Sequence, residues 1–147
     1  MRTVDEVVLA LYERDRCAQA HGITIEEARP GYARLRMEVR RDMLNGHDIC
    51  HGGITFLLAD TAFAYACNAG KPVTVASAAS VTFPSPAREG DILTAACREV
   101  HQRGRTGTYD ALVTTADGDT VALFRGSSVR TGASSGPSLP PPARGGT

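Results

Sequence analysis

One acid stands alone in an apolar stretch of this chain. Asp60 has Phe56, Leu57, Phe63 and Ala64 as its neighbours three and four residues away, so in a helix it would face hydrocarbon above and below. An unpaired buried carboxylate costs several kcal/mol, and groups carrying such a cost cluster at functional sites. The plainer alternative is an acid satisfied by a hydroxyl or an arginine of a neighbouring strand. Upstream lies Gly52-Gly53. At a helix start, this pair would offer free N–H groups and the positive end of the dipole to an anion or a polarised carbonyl, with no side chain to hold a ligand off. On its own it also reads as a plain turn into a helix. Eight residues of helix separate Gly52 from Asp60 by about 12 Å along the axis. A single carbonyl polarised at one and attacked with help from the other must lie within about 3–3.5 Å of each. One chain cannot reach both. Two copies with antiparallel helices can, so a site using both residues requires at least a dimer.

The elements that must position these residues follow from periodicity. Val4, Val8, Leu11 and Tyr12 recur at helical spacing, which predicts an amphipathic helix over 4–19, opened by a Thr3–Glu6 capping box and ended by Gly22. Ala33, Leu35, Met37 and Val39 alternate with charged residues, the pattern of a half-buried strand. The segment 51–68 is rich in alanine and leucine and apolar on nearly every face, which predicts a helix buried all round. Beyond Gly70 and Pro72, four strands are expected over 73–83, 92–101, 107–115 and 120–130, the last two flanking Asp117-Gly118. Their short connections predict an antiparallel meander. The layout is α+β: an antiparallel sheet wrapped around a long central helix, with a further helix at the N-terminus. This is the hotdog architecture. It predicts one domain over 1–131 and a disordered Gly/Pro/Ser-rich tail over 132–147.

Composition excludes several classes. Lysine plus arginine and aspartate plus glutamate number 16 each, so no global field draws the chain to nucleic acid or an anionic membrane. The longest apolar run, 54–67, is interrupted by Asp60 and too short to span a bilayer. The N-terminus lacks a signal core, and four scattered cysteines form no disulfide framework. The cytoplasm is the expected compartment. At 147 residues, the chain can bury roughly two-thirds of the surface its unfolded form exposes.

The run from Leu44 to Asn68, with Asn45, His51-Gly52-Gly53 and Ala59-Asp60-Thr61-Ala62-Phe63, resembles the phenylacetic-acid-degradation thioesterases of the hotdog type. The likeness continues through Val81-Thr82-Phe83, Gly90-Asp91, Gly104-Arg105-Thr106-Gly107, Tyr109-Asp110 and Val121 to Gly126. It covers about residues 4–131. The resemblance implies hydrolysis of acyl-CoA thioesters, with phenylacetyl and its hydroxylated forms as the acyl class. In that pattern the Gly52 N–H polarises the thioester oxygen. Asp60 of a partner chain activates water or attacks directly, and Asn45 orients the water or the carbonyl. His51 occupies the helix-entry position. The expected assembly is a dimer, paired further into a homotetramer, with sites shared between chains.

Gly53, Lys71, Arg103, Arg105, Thr106 and Arg125 are the candidates for holding substrate and the coenzyme A phosphates; the Gly104–Gly107 turn combines a cation with accessible amides. Solvated surface charge is the alternative for each cation. No metal or cofactor is expected: His47, Cys50 and His51 lack a fourth ligand. Two rival functions use the same residues. A hydratase or dehydratase would need a histidine and an acid that exchange a proton and water, and a non-catalytic acyl-CoA-binding module would have no use for the charge of Asp60.

Overall fold

The computed structural model describes residues 3–131; the tail expected over 132–147 lies outside the described residues. The elements run α1 (Glu6–Arg14), α2 (Arg16–Ala20), β1 (Thr24–Arg29), β2 (Tyr32–Glu38), a 3₁₀ turn (Arg41–Met43), α3 (Gly52–Asn68), β3 (Thr74–Thr82), β4 (Ile92–Arg103), β5 (Thr106–Thr115) and β6 (Thr120–Arg130). The six strands form one antiparallel sheet in the order β1-β2-β4-β5-β6-β3. Its concave face wraps α3.

Four expectations are corrected, the last of them the burial of α3. The N-terminal helix starts later and breaks once. Asp5, not Thr3, caps α1, accepting from the Val7 and Val8 amides at 2.8 and 3.3 Å, while Thr3 and Val4 are drawn out to bridge Ala28. Asp15 ends α1 and caps α2 through the Ala18 amide at 3.0 Å. Strand β1 was not expected at all. It is an edge strand with only Ala28 buried, so its sequence shows no apolar alternation. The third correction is topological: β4, β5 and β6 are a meander, but β3 pairs with β6 at the sheet edge rather than with β4. The segment between β3 and β4 therefore crosses the end of the sheet, over the start of α3, and the Cys50 amide donates to the Ala87 carbonyl there at 2.7 Å.

Helix α3 is enclosed on most sides: Leu58, Ala59, Ala62, Phe63 and Ala66 are all buried. It is not buried all round. Gly53 is exposed, and Leu57, Asp60 and Ala64 are only partly covered. Steps of four, three and four place these residues on one face, forming an open stripe of small and apolar residues with Asp60 in the middle.

The rest of the helix is held in register by close contacts. The Phe63 ring lies against the backbone of β6 at Gly126, where an added Cβ would stand 2.9 Å from two ring carbons. Tyr109 and Phe124 fix that ring, with centroids 5.4 and 5.7 Å away. A strand glycine at such an approach is a packing requirement. Gly126→Ala should therefore destabilise the fold by about 1–3 kcal/mol through overpacking, whereas Gly46→Ala, with nothing within 4 Å, should change it little. Urea melts of the two variants check this; equal stabilities would mean that Phe63 does not lock the helix to the sheet.

Candidate active site

The approach to α3 is a tight loop. The Asn45 amide donates to the Ile49 carbonyl at 2.8 Å, the Asp48 amide donates back to Asn45 at 3.0 Å, and Asn45 Oδ1 accepts the His47 amide at 2.9 Å. This leaves the Asn45 side-chain amide nitrogen without a hydrogen-bond partner among the described residues, free to donate outward. His51 follows as the N-cap. Its amide donates to the Met43 carbonyl at 2.8 Å and its carbonyl accepts from Ile54 at 2.9 Å, while its ring is exposed and caps nothing.

The amides of Gly52 and Gly53 donate to no group among the described residues, as the geometry of a helix start dictates. The two glycines differ in what surrounds them. A Cβ on Gly52 would meet the Phe83 ring at 3.2 Å, so this residue is glycine because an aromatic lies on it. A Cβ on Gly53 would meet only His51 Nδ1, at 3.8 Å. Nothing within the chain requires the missing side chain there. A cavity of about 410 Å³ opens beside Gly52, bounded by Asn45, Cys50, Phe83 and Val121.

No hydrogen bond or ion pair to Asp60 is present among the described residues, so the strand hydroxyl or arginine that would have made it merely structural is not found there. Burial pushes its carboxyl pKa up, and the charge of Asp15 adds to that shift. Asp15 is itself fixed by the Tyr65 hydroxyl, which donates to it at 2.7 Å. Because α3 is continuous from Gly52 to Asn68, the separation of about 12 Å between Gly52 and Asp60 stands. Within one chain the amides and the acid are not brought together.

The basic candidates are scattered too. Lys71 is mostly buried, 2.9 Å from Glu99 and 3.2 Å from the Tyr109 hydroxyl, and holds the Glu99 carboxyl below the usual range. Arg125 makes a bidentate pair with Asp110 at 2.7 and 2.8 Å on the outer face of the sheet. Arg103, Arg105 and Thr106 form the β4–β5 hairpin, where the Thr106 hydroxyl donates to the Arg103 carbonyl at 3.2 Å and the Arg130 amide to the Arg105 carbonyl at 2.8 Å. Thr106 lies opposite Val129, eight residues along β6 from Val121, which is roughly 26 Å of strand. These cations therefore sit at the far end of the sheet from their own chain's Gly52. Cys50 lines the cavity, but burial raises its thiol pKa, so it is kept neutral and poorly nucleophilic. Cys67 is core, its thiol pushed up to about 12 by burial.

A family model described as the thioesterase superfamily matches residues 47–122, from the loop before α3 into β6. The chain belongs to the thioesterase superfamily. It is similar to an enzyme of Escherichia coli K12 named acyl-coenzyme A thioesterase PaaI, 50% identical over 123 residues, 84% of this chain and 88% of that one. The solved structure of the E. coli PaaI protein from the phenylacetic acid degradation operon matches with a TM-score of 0.85 at 49% identity, over 86% of this chain and 92% of that one. A protein of Streptococcus pneumoniae TIGR4 named a hypothetical thioesterase and solved with coenzyme A matches with a TM-score of 0.72 at 25% identity, over 75% of this chain and 86% of that one. The hotdog fold and the assignment as a thioester hydrolase thus both hold.

Two contacts around these residues were not read from the sequence. Phe83 was expected to close a strand over 73–83, but β3 ends at Thr82, so Phe83 opens a connection that Pro84 and Pro86 stiffen. Asp15 fell inside the helix expected over 4–19, and its contact with Tyr65 has no local signal.

The environment of Asp60 sets the charge of its carboxylate against the stability of the fold. Its folded pKa lies above the unfolded value, so over the interval between them the native chain keeps a proton that the unfolded chain has lost, and stability falls as pH rises through that window. Asp60→Asn should lower thioester hydrolysis at least about a hundredfold while raising the melting temperature at neutral pH, a gain that vanishes below the unfolded carboxyl pKa. The wild-type rate should fall as acid protonates Asp60 at a pH above the ordinary carboxylate range. Melting curves and a kcat/KM profile against pH test both halves; a folded Asp60→Asn chain with near wild-type activity would remove Asp60 from the site.

Proposed function

We propose that this chain is an acyl-CoA thioesterase acting on phenylacetyl-CoA and its hydroxylated relatives, at sites shared between two copies. One observation carries the reading: free amides at Gly52-Gly53 and an unpartnered Asp60 lie on one helix, too far apart to serve the same carbonyl. A second α3, antiparallel to the first, brings each Asp60 to the other copy's Gly52.

Chemically, the Gly52 N–H takes the developing negative charge on the thioester oxygen. Asn45, with its side-chain nitrogen free to donate, orients the carbonyl or the water. Asp60 of the other copy then removes a proton from water as the C–O bond forms, the C–S bond breaks, and the thiolate leaves and takes up the proton. By direct attack, Asp60 would instead form an acyl anhydride that water opens in a second step. His51, exposed at the helix entry, flanks the same carbonyl. Coenzyme A as the leaving group is supported by the similar pneumococcal protein solved with it, and the aromatic acyl class by similarity to the E. coli PaaI enzyme and its operon. Gly53, with open space where its side chain would be, allows close approach. Arg103, Arg105 and Thr106, at the far end of each sheet, are carried toward the other copy's Gly52 by the same two-fold and remain available for phosphates. Lys71 and Arg125 are engaged within the chain, so their part there requires exchanging partners.

The surface suits such pairing. Strand β3 is a sheet edge paired only with β6, and residues 75–80, Val-Ala-Ser-Ala-Ala-Ser, are exposed and carry none of the charges that usually blunt an edge. The open stripe of α3 adds a second self-complementary face. Leu112 and Leu123, 41% and 49% exposed on the outer face of the sheet, supply the surface for pairing two dimers. A hydratase would release no coenzyme A, and neither would a binding module, so a thiol reagent with phenylacetyl-CoA separates the thioesterase reading from both.

The shared site is tested by complementation. Gly52→Val places a side chain against the half-exposed Phe83 ring and blocks the amide; Asp60→Asn removes the acid. Each variant alone should be nearly inactive. Co-refolded chains should regain up to about a quarter of wild-type activity, since random pairing makes about half the dimers mixed, each with one intact site of two. Circular dichroism checks the fold. Mixed dimers that are present but inactive would refute the cross-chain site.

A further inference from the structure

The proposed chemistry leaves the cavity beside Gly52 without a role. It holds about 410 Å³, and its walls are mostly apolar: Ile49, Cys50, Phe83, Pro84, Pro86 and Val121. Polar atoms gather at one side, where Asn45 and Gly52 offer their free N–H groups. The Thr55 hydroxyl, also on the wall, is turned to the Cys50 sulfur at 3.8 Å. Beyond Asn45, which borders both spaces, lies a second depression of different chemistry, lined by Arg41, Asp48, Arg88 and Glu89.

A thioester carbonyl held at Gly52 has two substituents, the acyl group and the sulfur arm. The polar, charged depression is unfit for an aromatic ring, whereas the apolar cavity fits it, being of the size and lining typical of small-molecule pockets. Phe83 is the cavity's most conspicuous feature. It is 48% exposed, unusual for a large aromatic in a small domain, yet it is held in place. Gly52 lets its ring approach the helix start to 3.2 Å of where a side chain would begin. Pro84 fixes the backbone φ that follows it, and the Cys50–Ala87 hydrogen bond of 2.7 Å anchors the segment to the loop before α3. A rigid, half-bare aromatic beside the carbonyl-binding amide is a stacking surface waiting for a ring.

We propose that this cavity is the acyl-binding pocket and that Phe83 is the residue that selects aromatic acyl groups, by stacking on the ring of the substrate. The assignment rests on the thioesterase reading above but can fail separately from it.

The test compares wild type, Phe83→Leu and Phe83→Ala on four thioesters: phenylacetyl and acetyl, each carried on coenzyme A and on N-acetylcysteamine, which lacks the nucleotide. Because Phe83 is half exposed, both variants should fold, and circular dichroism verifies it. The ratio of kcat/KM for phenylacetyl over acetyl should fall by about five- to tenfold in Phe83→Ala, less in Phe83→Leu, and by the same factor on both carriers. A uniform loss across all four thioesters would overturn the proposal and assign the cavity to the sulfur arm or to the shape of the Gly52 turn. A ratio unchanged from wild type would overturn it as well. A wild-type chain that hydrolyses none of the four would instead bring down the thioesterase reading itself, and this pocket with it.

Discussion

The structure is organised around a carboxylate that the chain declines to satisfy. Asp60 sits partway along a helix that the sheet otherwise encloses, and among the described residues nothing donates to it. Burial and the neighbouring charge of Asp15 both oppose its ionisation. A charged carboxylate in that position is destabilising for the chain, and a carboxyl whose pKa is raised accepts a proton more readily than an ordinary one. The open stripe of α3 carries Asp60 in its middle, on the face the sheet leaves free.

Holding the acid in place falls to contacts that glycine makes possible. At one end of α3, Gly52 admits Phe83; further along, Gly126 of β6 admits Phe63. Each contact removes a side chain so that a ring can touch backbone, and each fixes the helix against a different part of the sheet. The far end is pinned differently, by Lys71, Glu99 and Tyr109 in a mutually bonded cluster. The helix is therefore clamped along its length, while the Gly52 and Gly53 amides and Asp60 remain unpaired among the described residues.

The connection from β3 to β4 ties fold and chemistry together. Because β3 lies at the sheet edge beside β6, the chain must travel across the sheet end to reach β4, and the path passes over the helix start. Two prolines stiffen it, and its Phe83 walls the cavity.

Much of this was legible in the residues. The apolar run with one acid, the glycine pair ahead of it and the β-rich second half determined the central helix, the antiparallel sheet and the places of Gly52 and Asp60 on that helix, because hydrophobic period and helix-start chemistry are local properties. The distance from Gly52 to Asp60 was equally readable, since helical rise is fixed by the backbone. Local pattern did not reveal what depends on neighbours. Thr24–Arg29 is a strand only because β2 pairs with it; Asp15 matters because Tyr65, fifty residues away in sequence, donates to it. Phe83 reads as the last residue of a strand until the order of strands lays it across Gly52. Strand order is a long-range choice, set by which edges bury the helix best, and only the tertiary structure decided it.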